Sequence, residues 1–201
     1  MDATAANFRS AQADFVWDQF QQVVNDHDLQ KGKIYFRRNS KETQMLADIS
    51  EHNGEPIQKN LLYSGGKVQV YEPKLERVTV YSPGKNKSDV ESFLALGFGG
   101  SGREMLQSFD VKYLGTEKID GIDTAKLELV PKSKSVRGMF DRFVLWIDPA
   151  RGISVQQQAF EPASGDYRLT KYSNIQLNQK MPDNVFKLKT TNKTKVVTPQ
   201  G

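Results

Sequence analysis

Three glycines, Gly97, Gly99 and Gly102, stand at the spacing G-x-G-x-x-G within the stretch GFGGSG. That spacing serves a dinucleotide-binding loop when it follows a strand and opens a helix inside a β-α-β unit. Here the preceding stretch reads as a helix. Val90, Phe93, Leu94 and Leu96 recur at helical spacing, and Ser88 followed by Glu91 has the form of a capping box. Ser101 followed by Glu104 has the same form and opens a second helix, with Gly97 placed as a left-handed cap between the two. The acidic residue needed about 20 positions on falls near Asp120 or Asp123, inside a hairpin. The context points away from a nucleotide. It points to a hinge between two short helices over residues 88–108, built from Gly97, Phe98, Gly99, Gly100 and Gly102.

Other residues able to do chemistry are few. His27 and His52 are the two histidines, and both sit in polar stretches, NDHD and SEHNGE, that read as solvated loops. Asp26, His27 and Asp28 lack metal-ligand spacing. There is no cysteine, which removes disulfides, thiolate metal sites and cysteine nucleophiles. No G-x-S-x-G, H-E-x-x-H or P-loop pattern occurs. Neither an enzyme nor a cofactor or metal is expected. Asn86-Lys87-Ser88 and Asn192-Lys193-Thr194 match the glycosylation sequon, a tripeptide common by chance. The stretch GKIYFRRNSKE is more informative. Ile34, Phe36 and Arg38 share one strand face by parity. If that face is inward, Arg38 either reaches water at the rim or hydrogen-bonds a covering helix, because an unpaired buried guanidinium is costly.

The elements that position these residues are mostly strands. Alternation in KVQVYEP, ERVTVYS, AKLELVP and ISVQQQAF marks half-buried strands, the last placing Ile153, Val155, Gln157 and Ala159 together. Turn signals punctuate them, with Asp120-Gly121 the best hairpin turn. About eleven strands are expected, with a weaker one near 185–190, and a short helix at DATAANFRS capped by Asp2. The strand RFVLWID is apolar on both faces, so its inward face is not readable. Net charge is +4 and scattered over 201 residues, with only Arg37-Arg38 clustered, which argues against a nucleic-acid stripe. No run approaches the roughly 20 apolar residues of a membrane-spanning helix. The start, MDATAANFRSAQADF, has no signal-peptide pattern, so the chain is either cytoplasmic or a mature fragment. One domain over 1–201 is expected. A long one-sided sheet must fold over or curl, and eleven strands curl around a cavity that the 88–108 helices are placed to cover. Phe15, Trp17, Ile34, Phe36, Met45 and Ile49 are the candidate cavity wall by parity, with an ordinary packed core as the alternative.

At this point the chain resembles the periplasmic carriers of outer-membrane lipoproteins. The resemblance runs through AQADF, GKIYFRR, YSGGKVQVYEP, LELVPKS, LWIDPARGI and NVFKLKT, in that order. It implies an unclosed antiparallel barrel over a hydrophobic cavity, lidded by helices. By resemblance the cavity receives lipoprotein acyl chains from an inner-membrane transporter and passes them to an outer-membrane acceptor. The family's lid-latching arginine falls on Arg38, with Asn39 where a proline usually follows, and the glycine-rich link also departs from better-known members. An acceptor-type relative would carry a lipidated cysteine, so the resemblance favours a soluble, monomeric periplasmic carrier. Phe93, Leu94, Leu96 and Phe98 are expected to fill the empty cavity and move aside for acyl chains. A carrier of another lipid or glycolipid, or a sensor binding a protein segment in the groove, are the alternatives.

Overall fold

A computed structural model describes residues 2–39, 42–84, 87–182 and 184–199. The alternating stretches form strands β1 (Ser10–Gln21), β2 (Asp26–Arg38), β3 (Thr43–His52), β4 (Glu55–Ser64), β5 (Lys67–Glu72) and β6 (Arg77–Tyr81). A short helix α1 (Asp2–Asn7) leads into them. After two further helices, α2 (Lys87–Ala95) and α3 (Gly102–Ser108), come β7 (Phe109–Ile119), β8 (Ile122–Pro131), β9 (Arg142–Asp148), β10 (Ile153–Phe160), β11 (Tyr167–Leu177) and β12 (Lys195–Val197). Helix α4 (Lys134–Arg137) interrupts the β8–β9 connection. Among the described residues these twelve strands make one sheet, ordered β12-β6-β5-β4-β3-β2-β1-β11-β10-β9-β8-β7. The two ends do not pair, so the barrel is unclosed. The pairing β1·β11 joins strands far apart in sequence at the centre of the sheet. The long β1·β2 hairpin is the spine beside it.

The Asp120-Gly121 turn forms as expected, with both residues at positive φ. Two expectations change at the C-terminus. Residues 185–190 are not a strand. Phe186 instead tucks against Leu46 and Leu62 on the outer face of the sheet, and Arg37 lies over its ring at 4.7 Å. The twelfth strand is Lys195–Val197, parallel to β6 in an otherwise antiparallel sheet. His27 and His52 lie in β2 and at the end of β3 rather than in loops. Each meets a cross-strand carboxylate, Asp18 at 2.7 Å and Asp28 at 2.6 Å. Asp2 Oδ1 accepts from the Arg103 backbone N–H at 3.3 Å, so α1 reaches the start of α3.

The doubly apolar β9 is buried on both sides. Phe143, Leu145 and Ile147 point inward, where they join Leu96, Met105, Phe109 and Leu129 under α3. Val144 and Trp146 point outward into a separate cluster. Val155 joins that outer cluster, against the expectation that it faces the same way as Ile153 and Ala159. A register shift between Ser154 and Gln156 is the reason: a bulge adds a residue and resets the alternation. Among the described residues no helix is long and apolar enough to cross a membrane.

Candidate functional site

The inner face of the sheet encloses a cavity of about 420 Å³. Trp17, Ile34, Phe36, Met45, Leu61, Tyr63 and Val68 line it from β1 to β5. Period-two alternation on paired strands brings these side chains to one face. Phe36 is 2% exposed and Tyr63 1%, so this wall is dry at its base. Phe15 and Ile49 belong to the packed core behind it rather than to its lining. A cleft of about 530 Å³ lies on the outer face, between β2–β5 and residues 184–189, but polar and charged groups such as Asp48, Asn60, Lys187 and Lys189 share its wall.

Helix α2 covers the inner cavity with Val90, Phe93 and Leu94. Phe98, in the link to α3, is 2% exposed and packs on Tyr172 with ring centroids 4.9 Å apart. Leu96 turns the other way, into the cluster beneath α3. The Ser101–Glu104 capping box forms, with Ser101 Oγ accepting from the Glu104 N–H at 3.1 Å. The Ser88–Glu91 box does not. Ser88 lies inside α2, and Glu91 accepts from the Tyr63 hydroxyl at 2.9 Å, tying the helix to β4. Burial and this carboxylate push the Tyr63 pKa up.

The glycine link is close-packed. The left-handed residue is Gly99, at φ +78°, not Gly97. A Cβ at Gly99 would meet the Phe8 ring at 2.4 Å. A Cβ at Gly97 would meet Gln157 Nε2 at 2.8 Å, at Gly100 the Ala95 carbonyl oxygen at 2.6 Å, and at Gly102 Asp2 Oδ1 at 3.2 Å. The Gly97 carbonyl accepts from the Ser154 N–H at 3.2 Å, a donor freed by the β10 bulge.

Arg38, at the end of β2, reaches this link. Its Nη1 donates to the Gly99 carbonyl at 2.9 Å and to Glu104 Oε2 at 3.0 Å, while Nη2 donates to Glu104 Oε1. The fork is bidentate, the geometry in which guanidinium and carboxylate bind most strongly. Arg38 holds the Glu104 carboxyl well below its usual range, at about 2, and Glu104 in turn raises the pKa of Arg38. Sequence reasoning left Arg38 between the rim water and a covering helix and missed Glu104, which the capping-box pattern alone already ties to α3. It also missed Phe8, which packs on Phe36 at 5.7 Å and backs the link.

The adjoining wall, from β11 and β10, is polar. Gln157, Thr170, Tyr172 and Arg168 line it. Parity on 167–177 puts the three β11 side chains on one face, but hydropathy alone would have turned Leu169 inward instead.

Helix α2 and the glycine link thus roof a largely apolar cavity under an unclosed, mostly antiparallel barrel. The family model described as "Outer membrane lipoprotein carrier protein LolA" matches residues 6–189. The chain belongs to this family. The match spans β1 through β11 and the outer-face segment around Phe186, and stops short of β12. A comparison with curated proteins finds no match. Among solved structures, an uncharacterized conserved protein from Thermus thermophilus is 9% identical with a TM-score of 0.61, covering 98% of this chain and 96% of that one. The Mycobacterium tuberculosis lipoprotein LppX is 15% identical with a TM-score of 0.51, covering 90% of this chain and 93% of that one. The structure of the Pseudomonas aeruginosa MucA/MucB complex gives 14% identity and a TM-score of 0.51, covering 98% of this chain and 61% of that one. At these identities the likeness is one of fold. The LolA family is a family of carriers, so its members bind cargo rather than convert it.

Proposed function

We propose that this LolA-family chain is a single periplasmic carrier domain that shelters acyl chains in the cavity beneath α2 and the Gly97–Gly102 link. On this reading it takes lipoprotein acyl chains from an inner-membrane transporter and yields them to an outer-membrane acceptor. The observation that carries it is the apolar cavity whose roof is itself apolar. Each acyl CH₂ moved out of water contributes roughly 0.8 kcal/mol, so long chains do not cross an aqueous space unescorted. Release must also be possible. In the empty state Phe98 and Leu94 occupy cavity space, and their return offsets part of the binding energy of the chain they displace. Arg38 is the latch: its bonds to Gly99 and Glu104 hold the lid down and must yield when cargo enters.

Displacement of a fluorescent fatty acid tests this. The wild-type protein is expected to take up the probe with saturable affinity, and Arg38→Leu to change both affinity and release rate by about tenfold, since one charge-assisted bidentate pair is lost. A variant with unaltered uptake and release sinks the latch. A protein segment is the competing occupant of the groove, because MucB shares the fold and is found in complex with MucA. Failure of the wild type to bind any acyl probe favours that occupant.

A further inference from the structure

The cavity has one apolar wall and one polar wall, and a cation stands at the end of the polar one. Tyr172, Thr170 and Arg168 follow each other at every second position on β11, facing Phe15, Trp17 and Gln19 across the β1 pairing. Gln157 on β10 faces Thr170 and lies 3.5 Å from the Tyr172 hydroxyl. Tyr172 is deep enough that burial alone pushes its pKa up. Arg168, at the outer end of the row, is exposed at the cavity mouth; desolvation lowers its pKa, with the charge of Glu161 acting the other way.

Arg168 is weakly partnered for such a place. Its Nε donates to Gln19 Oε1 at 3.0 Å, a neutral acceptor. Among the described residues neither terminal nitrogen has a hydrogen-bond partner, and no carboxylate forms an ion pair with it. Two carboxylates lie near this mouth. Glu161 accepts from Gln19 Nε2 at 3.0 Å and acts on Arg168 through its charge, and Asp28 lines the cavity 2.6 Å from His52. A guanidinium presents five donors and stays charged at any working pH. At the mouth of an apolar cavity, with donors to spare, it favours an anion.

We propose that Arg168 is a head-group site: the cavity takes an amphiphile bearing a phosphate or carboxylate, whose chain lies against Ile34, Phe36, Met45 and Leu61 and whose anion meets the Arg168 guanidinium. Thr170, Gln157 and Tyr172 offer hydrogen bonds to ester or amide groups between chain and head. This rests on the reading of the cavity as a lipid site and narrows its cargo. The volume fits: about 420 Å³ lies within the roughly 300–1,000 Å³ of small-molecule sites.

The test is calorimetric titration of the full chain with three probes below their micellar concentrations: oleate, lysophosphatidylglycerol and neutral monoolein. At least one anionic probe is expected to bind about tenfold or more tightly than monoolein. Arg168→Gln should remove that preference while leaving monoolein affinity unchanged, and Arg168→Lys should keep part of it. The anion whose preference depends on Arg168 tells carboxylate from phosphate. Circular dichroism checks that each variant keeps its sheet, and monoolein binding checks that its cavity is intact. Monoolein binding as tightly as both anions, or Arg168→Gln weakening all three probes equally, overturns the head-group site and leaves the lipid reading standing. If the wild type binds none of the three, the lipid reading itself falls.

Discussion

The Glu104 carboxylate caps α3 through Ser101 and binds the Arg38 guanidinium at the same time. Its folded-state pKa of about 2 lies below the ordinary 4.5, so the pair's contribution is complete above about pH 4.5 and is lost as pH falls toward 2. Both side chains are partly open to water, so the effect is local loosening rather than global unfolding. Amide protection over residues 96–108, corrected for intrinsic exchange, is expected to drop between pH 5 and pH 3 more than protection in β1 and β2. Glu104→Gln should already be loose at pH 5 and show no such drop. A variant with the wild-type pH response assigns the acid effect to another group. At this scale Arg38 was legible, because Ile34 and Phe36 fix the parity of its strand. Its partner was not, because the two meet only when a helix 66 positions on folds back over the strand end.

The lid is held less by helix length than by its link. Helices α2 and α3 are short, nine and seven residues, and short helices are marginal without tertiary packing. Between them lie glycines whose missing side chains let Phe8, Gln157 and Ala95 approach. The sequence suggested a hinge, yet the structure shows a link pressed against its neighbours, from which motion requires Phe8 and Gln157 to give way. Gly99→Ala is the sharpest probe, since it meets both a left-handed backbone and the Phe8 ring. It is expected to cost about 1–3 kcal/mol in denaturant unfolding. A neutral result would mean the link is free of Phe8. Element existence was largely legible from alternation and turn residues. What was not legible came from irregularity. The bulge at Ser154–Gln156 turns Val155 outward, Glu91 leaves its helix end for Tyr63, and Phe186 packs on the outer face instead of continuing a strand. Each is decided by a neighbour distant in sequence.

One sheet carries two inner clusters, one around the cavity and one beneath α3, and the lid contributes to both. Phe98 enters the first and Leu96 the second, so lifting the link disturbs both at once. On the outer face the C-terminal segment covers β2–β5 through Phe186 and then adds β12 to the β6 edge. The molecule therefore covers part of its outer face with its own chain, leaving a partly polar cleft there, and keeps its largely apolar, roofed cavity on the inside. That asymmetry, together with membership of the LolA family, is the basis for reading it as a carrier of acyl chains. Native mass spectrometry of the purified protein, with lipid extraction of the same sample, tests this most directly. Bound acyl lipid is expected on the wild-type chain, and uptake of oleate or lysophosphatidylglycerol by any lipid-free fraction. A bare polypeptide mass, with no extractable lipid and no uptake on incubation, would contradict it.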